Sequence, residues 1–146
     1  MYDIVKFESK HLCVYNKIEE SIIRCKDIKE ARNHWNKEKL VLLDDYSFDS
    51  GLMSEIGAKA KLCFLIDLSR IIKTSGIIRA IGLTKIRNFL RFCNKFGIFY
   101  TFATFEERAE DIRSEEEIIN IGLLFDINRG QAKFAVKMLE QYLKKK

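Results

Sequence analysis

The sequence predicts an α/β fold of parallel βα repeats, a partial (truncated) TIM-like barrel followed by two C-terminal helices. Three observations lead there: short apolar runs recur along the chain, helix-compatible stretches separate them, and the runs are continuous rather than alternating. Continuous apolar runs are what strands need when both faces of a parallel sheet are covered. Five strands are expected, at residues 3–7, 21–25, 40–43, 62–66 and 98–103. The stretches 28–35, 51–61 and 84–96 carry helical spacing in the position of crossovers between parallel strands. Ser114 and Glu117 have the spacing of a capping box, which predicts a helix running to about residue 125. A turn at Asn128-Arg129-Gly130 precedes a last helix with Ala132, Ala135, Val136, Leu139 and Leu143 on one face and Lys144, Lys145 and Lys146 at its end, where cations complement the helix dipole. Five strands cannot close an eight-stranded barrel, so exposed edges are expected.

With 146 residues, 47% hydrophobic and 12% aromatic, the chain suits one folded domain, 1–146, and not a disordered segment. No apolar run is long enough to cross a bilayer and no secretory signal pattern opens the chain, so a cytoplasmic protein is expected. Cys13, Cys25, Cys63 and Cys93 form no C-x-x-C pair and read as buried thiols of a reducing compartment. Proline is absent, where average usage would give about seven. That reads as composition bias, not as a fold signal.

Charge is distributed unevenly. Residues 1–68 hold eleven basic and twelve acidic side chains, so the net +5 of the chain resides in residues 69–146. Between Leu68 and Phe105 stand Arg70, Lys73, Arg79, Lys85, Arg87, Arg91 and Lys95, without one Asp or Glu. Arg87, Arg91 and Lys95 recur at helical spacing, opposite Ile86, Phe89, Leu90, Cys93 and Phe96. A basic stripe backed by core can follow a row of phosphates. The same stripe also suits a merely solvated helix face.

Residues for protein-borne catalysis are few. His11 and His34 belong to no metal-binding pattern and read as structural or surface residues. Asp44 and Asp45 end a strand and Asp49 follows, a cluster that could hold magnesium or simply shape a turn. No glycine-rich phosphate loop follows any strand.

The boxes Leu40-Val-Leu-Leu-Asp-Asp-Tyr-Ser-Phe-Asp49-Ser50-Gly51-Leu52, Leu62-Cys-Phe-Leu-Ile-Asp-Leu-Ser69 and Gly76-Ile-Ile-Arg79-Ala80 resemble, in order and spacing, protein component three of archaeal and eukaryotic ribonuclease P. The resemblance continues through Arg87 and Arg91, Lys95-Phe96-Gly97-Ile98, Ile112-Arg113-Ser114, Gly122-Leu-Leu-Phe-Asp126 and Gln131-Ala132-Lys133, and covers residues 20–140. The family's first strand and helix have no counterpart here, so an N-terminally shortened member is expected. Asp44-Asp45 stands where the family has His-Pro, Ser54 or a neighbour where it has a histidine, and Thr104-Phe105-Glu106 where it is rich in Ser, Gly and Ala. The resemblance implies an RNA-binding, non-catalytic subunit that supports the catalytic RNA in removing the 5′ leader of precursor tRNA. It implies magnesium on that RNA, no cofactor on the protein, and pairing with protein component two as a heterodimer or heterotetramer. Expected RNA contacts are Arg79, Arg87, Arg91, Lys95 and Arg113, with Arg70, Lys73 and Lys133 secondary. Asp49, Ser50 and Gly51 are expected to shape a turn into a helix. Two alternatives stay open: a carboxylate-metal phosphoesterase using Asp44, Asp45, Asp49 and Asp67, and an interaction protein that has lost RNA binding and pairs with itself through exposed edges.

Overall fold

A computed structural model describes residues 1–47 and 49–144. Six short strands are present among the described residues: β1 (Ile4–Val5), β2 (Cys13–Val14), β3 (Ile22–Cys25), β4 (Leu40–Leu43), β5 (Cys63–Asp67) and β6 (Phe99–Ala103). Strands β3 to β6 form a four-stranded sheet in sequential order, every pair parallel, and β1 and β2 form a separate parallel pair. The parallel α/β expectation therefore holds, and among the described residues the strand pairing is a four-stranded sheet plus a two-stranded pair. The helices are α1 (Tyr15–Ile18), α2 (Ile28–Ala31), α3 (Ser50–Gly57), α4 (Ser69–Ile72), α5 (Gly76–Phe96), α6 (Glu115–Gly122) and α7 (Arg129–Lys144).

The predicted strands match within one or two residues, except that the first is limited to Ile4–Val5. Strand β2 and helices α1 and α4, each two to four residues long, carry too little pattern to be read from sequence. Helix α5 begins eight residues earlier than the periodicity suggests, because its first turns expose Ile77, Ile78 and Ile81 and so lack an amphipathic signature. It ends where Gly97 adopts φ 70° and donates its N–H to the Cys93 carbonyl. The Ser114–Glu117 capping box is present in full, with both reciprocal bonds at 3.1 Å. Lys145 and Lys146 lie outside the described residues.

Alternate residues of the central strands enter two clusters. Val41, Leu43, Phe64, Ile66, Tyr100 and Phe102 pack with Ile28, Met53, Ile56, Phe89, Leu90, Cys93 and Ile118 from the covering helices. Leu40, Leu42, Cys63, Leu65 and Ala103 face the other way, toward Ile4, Cys13 and, from α7, Met138, Leu139 and Tyr142. Helix α7 thus passes the β6 side of the sheet: Ala132, Ala135 and Val136 belong to the first cluster and its last turns to the second. Its end is fixed by Tyr142, whose hydroxyl donates to the Lys61 carbonyl at 2.8 Å. Helix α3 meets the end of α5 so closely at Gly57 that an added Cβ would lie 2.7 Å from both Cβ and the carbonyl oxygen of Phe96.

The β1–β2 pair is tied to the end of β6 by one buried carboxylate. Asp3 Oδ1 accepts from the Ile4 and Thr104 N–H groups, each at 2.8 Å, and Oδ2 accepts the Thr104 hydroxyl at 2.5 Å. Beside it, Phe105 N–H donates to the Ile4 carbonyl at 2.9 Å and Lys6 N–H to the Glu106 carbonyl at 2.8 Å, with Phe105 held at φ 51°. Burial pushes the Asp3 carboxyl above its ordinary range, and neighbouring Glu106 adds to this; together they outweigh the hydrogen bonds that favour the carboxylate.

A carboxyl whose pKa is raised by folding contributes stability that is present below the unfolded value of about 3.9 and is lost as pH rises through the folded value. Asp3→Asn can keep all three contacts, accepting from the two N–H groups and donating to Thr104, without acquiring charge. Urea unfolding between about pH 4 and pH 8 should show the wild type losing stability relative to Asp3→Asn as pH rises. A constant difference across that range would refute this role for Asp3.

Candidate nucleic-acid interface

Helix α5 carries the central part of the basic stretch, and its buried side, Ile86, Phe89, Leu90 and Cys93, fixes which residues face outward. The outward cations differ in what they touch. Arg87 turns toward the end of α6: its Nη2 donates to the Leu124 carbonyl at 3.0 Å and its Nε lies 3.1 Å from Asp126 Oδ2, an ion pair by distance and not an aligned hydrogen bond. Lys85 lies 3.5 Å from Asp45, and Lys73 lies 3.9 Å from Glu107. Arg79 donates to the Ile72 carbonyl at 3.3 Å. Lys95 rests over the rings of Phe92 and Phe96, at 5.9 and 5.4 Å from their centroids. Among the described residues, no carboxylate lies within 4.0 Å of the charged groups of Arg79, Arg91 or Lys95.

The remaining expected contacts stand elsewhere. Arg70 stacks on Tyr46, 5.0 Å from the ring centroid, and donates to the Leu43 carbonyl at 3.1 Å, beyond the end of β4. Tyr46 in turn bridges the β4 and β5 ends, donating to the Leu65 carbonyl and accepting from Asp67 N–H. Arg113 is half-buried; its carbonyl accepts the Tyr2 hydroxyl at 3.0 Å and its Nε is buried without a partner. Lys133 borders a shallow depression with Ser114, Glu115, Glu116 and Lys137. Arg91 and Lys95 therefore share one helix face, while Arg113 and Lys133 flank the α6–α7 surface. Asp49 caps α3, accepting from Leu52 N–H at 3.2 Å, and Ser50 and Gly51 occupy its first turn.

The carboxylates of the enzyme alternative are engaged separately. Asp44 pairs with Arg24 at 3.0 Å, Asp45 binds Ser47 and faces Lys85, Asp49 caps α3, and Asp67 Oδ1 accepts from Ser69. Among the described residues, no three His, Cys, Asp or Glu side chains converge as a metal-binding group. A cleft of about 110 Å³ does open at the C-terminal ends of the strands, lined by Lys6, Tyr15, Arg24, Leu42, Asp67 and Phe105. Only one of the four candidate carboxylates, Asp67, reaches it. All four cysteines are buried and stand outside any disulfide.

A larger cavity, about 380 Å³, lies where the end of α5, the start of β6 and the start of α7 meet. Cys93, Asn94, Ile98, Phe99, Tyr100, Asn128, Gln131 and Phe134 line it, and Phe99 and Phe134 remain 42% and 52% exposed. A smaller one of about 150 Å³ shares Asn94 and Gln131 with it and is bordered by Arg87, Arg91 and Asp126. None of these aromatic and amide residues was among the expected contacts. The only sequence signal was Phe134, a large apolar residue on the otherwise polar side of the last helix.

Fold and surface define a parallel α/β protein with a cationic helix face beside an aromatic-lined cleft. No family model matches the chain, and no curated protein matches it. A solved structure does: a chain of the cryo-EM structure of archaeal ribonuclease P with mature tRNA aligns with a TM-score of 0.69 at 16% identity, over 94% of this chain. The aligned region spans 64% of that chain. No helix among the described residues is long and apolar enough to cross a membrane.

The two neighbouring arginines of α5 should separate in a stability measurement. Arg87→Gln removes the Leu124 and Asp126 contacts and should lower the unfolding free energy by about 1 kcal/mol, less than the roughly 1.5–3 kcal/mol of buried charged hydrogen bonds because the pair is partly solvated. Arg91→Gln should stay within about 0.5 kcal/mol of wild type. Equal effects in denaturant titrations would show that Arg87 is no more structural than Arg91.

Proposed function

We propose that this chain is an RNA-binding, non-catalytic protein subunit of a ribonuclease P, of the component-three type, that supports the catalytic RNA in removing the 5′ leader of precursor tRNA. The observation that carries this reading is its likeness in fold to a chain of a ribonuclease P–tRNA complex over nearly its whole length. The cations of α5 that the fold leaves unpaired supply the physical means. Arg91 and Lys95 are the primary phosphate contacts, Arg79 extends them toward the start of the helix, and Arg113 and Lys133 form a second, separate site. Arg87, Arg70 and Lys73 act more through their neighbours than on RNA, because their charged groups are already engaged. Such contacts position RNA without reading its sequence. Magnesium belongs to the RNA, precursor tRNA is reached through it, and the assembly works in the cytoplasm.

The protein partner, component two in this reading, would cover Ile77, Ile78 and Ile81 on the first turns of α5, exposed by 78%, 70% and 52%. Single exposed apolar residues are ordinary, but three within two turns form a patch. The competing occupant is a second copy of this chain.

Replacing Arg91 and Lys95 together by Gln should weaken binding to ribonuclease P RNA and reduce the slope of log affinity against log salt by about one per lost contact. An unchanged slope would remove this helix face from the interface. Ile78→Glu should abolish association with component two in copurification while leaving RNA affinity intact. A wild-type chain that sediments as a stable homodimer dissociated by Ile78→Glu would instead assign the patch to self-association.

A further inference from the structure

The cavity at the junction of α5, β6 and α7 joins features that RNA recognition uses together. Phe99 and Phe134 place two exposed rings at its wall, with centroids 5.8 Å apart and planes tilted by 48°. Three carboxamides border it, and each has its carbonyl oxygen already occupied. Asn94 Oδ1 accepts the Tyr100 hydroxyl at 3.1 Å, Gln131 Oε1 accepts Asn128 N–H at 2.9 Å, and Asn128 Oδ1 accepts Gln131 N–H at 2.8 Å. These bonds fix the amide orientations and leave the three NH2 groups as donors. Asn94 and Gln131 also form the wall shared with the smaller cavity, where Arg91 stands. Within one continuous surface, therefore, lie two exposed rings, three amide donors and, among the described residues, a guanidinium with no carboxylate within 4.0 Å.

We infer that this cavity receives one unpaired nucleotide of the bound RNA. Its base stacks on Phe134 with Phe99 against its edge, a ring carbonyl of the base accepts from the Asn94, Asn128 or Gln131 amides, and its phosphate rests on Arg91. The volume suits a base, lying near the lower end of the roughly 300–1,000 Å³ typical of ligand pockets. Charge decides the class of occupant. A neutral apolar ligand would answer neither the amide donors nor Arg91, whereas a nucleotide brings a carbonyl acceptor for the amides and a phosphate for Arg91. Because the amides offer donors, the bases that carry a ring carbonyl, uracil, guanine and cytosine, are favoured over adenine. This inference rests on the RNA-binding reading and adds to it a base-dependent contact.

The test compares three single strands of equal length bound to the full chain across a salt series: oligo(U), oligo(A) and an abasic backbone. Oligo(U) should bind about tenfold more tightly than the abasic strand, the range expected of one stacked base. It should also bind more tightly than oligo(A). Phe134→Ala should remove most of the difference between oligo(U) and the abasic strand without changing the salt slope, and Phe134→Trp should retain it. Phe134 is half exposed, so its truncation leaves the core intact. If abasic and uridine strands bind equally with a normal salt slope, or if Phe134→Ala has no effect, the nucleotide pocket is overturned while phosphate binding stands. Equal binding of oligo(A) and oligo(U) overturns the carbonyl assignment. If no strand binds with salt dependence, the RNA-binding reading itself fails, and the pocket with it.

Discussion

A parallel sheet whose strands are apolar on both faces must be covered on both sides, and this constraint organises the chain. All four residues of β4 are buried, so neither side of the sheet can be left to water. Helices α2, α3, α5 and α6 cover one side. The other is covered by two segments distant in sequence, the β1–β2 pair and the last turns of α7. For a single helix to reach both sides it has to pass beside β6, and that course brings the start of α7 against the start of β6. The cleft between Phe99 and Phe134 follows from this crossing: the core requirement that places Leu139 and Tyr142 inside also holds Phe134 outside, beside the end of α5.

The N-terminal cover depends on a different kind of force. β1 and β2 have two residues each and could not persist on their own strand pairing. They are held because Asp3 supplies acceptors to the backbone and side chain of Thr104, and because backbone bonds from Phe105 and Lys6 continue the contact. Burying a carboxylate costs stability unless its oxygens are satisfied. Here each oxygen accepts at least one bond, although Glu106, itself buried with an unpartnered Oε1, stands close enough to keep the pair strained electrostatically.

How far the sequence disclosed this structure depends on the length scale of each signal. Strands β3 to β6, the capping box of α6 and the core face of α7 were legible, since each repeats a pattern over enough residues to stand out. The start of α5 was not, because Ile77, Ile78 and Ile81 point to solvent and mimic an irregular apolar stretch. Of the two-residue strands, β1 lies within the longer apolar run 3–7 and was legible, whereas β2 was not, because two residues carry no pattern of their own. Among the candidate interface residues, Arg91 and Lys95 follow directly from helical spacing. The structural use of Arg87 does not, since its partners Leu124 and Asp126 lie in another element. Phe99, Asn94 and Gln131 were invisible for the same reason: three segments must come together before they border one cavity.

An acid-free run in a sequence is not an acid-free region in space, and the difference narrows the interface. Carboxylates from outside the run reach three of its seven cations: Asp45 approaches Lys85, Glu107 approaches Lys73 and Asp126 approaches Arg87. Arg70 is taken up differently, by the Tyr46 ring and the Leu43 carbonyl. What remains is Arg79 near one end of α5 and Arg91 with Lys95 near the other. Uncompensated charge, not total charge, sets the local potential that attracts a polyanion. Arg91 has no carboxylate within 4.0 Å among the described residues, and Asp126, which lines the same small cavity, is paired with Arg87, so in the proposed pocket phosphate attraction and base contact would act on the same nucleotide. A solvated helix face would need neither that coincidence nor the exposed rings of Phe99 and Phe134, and their presence together weighs toward an interface.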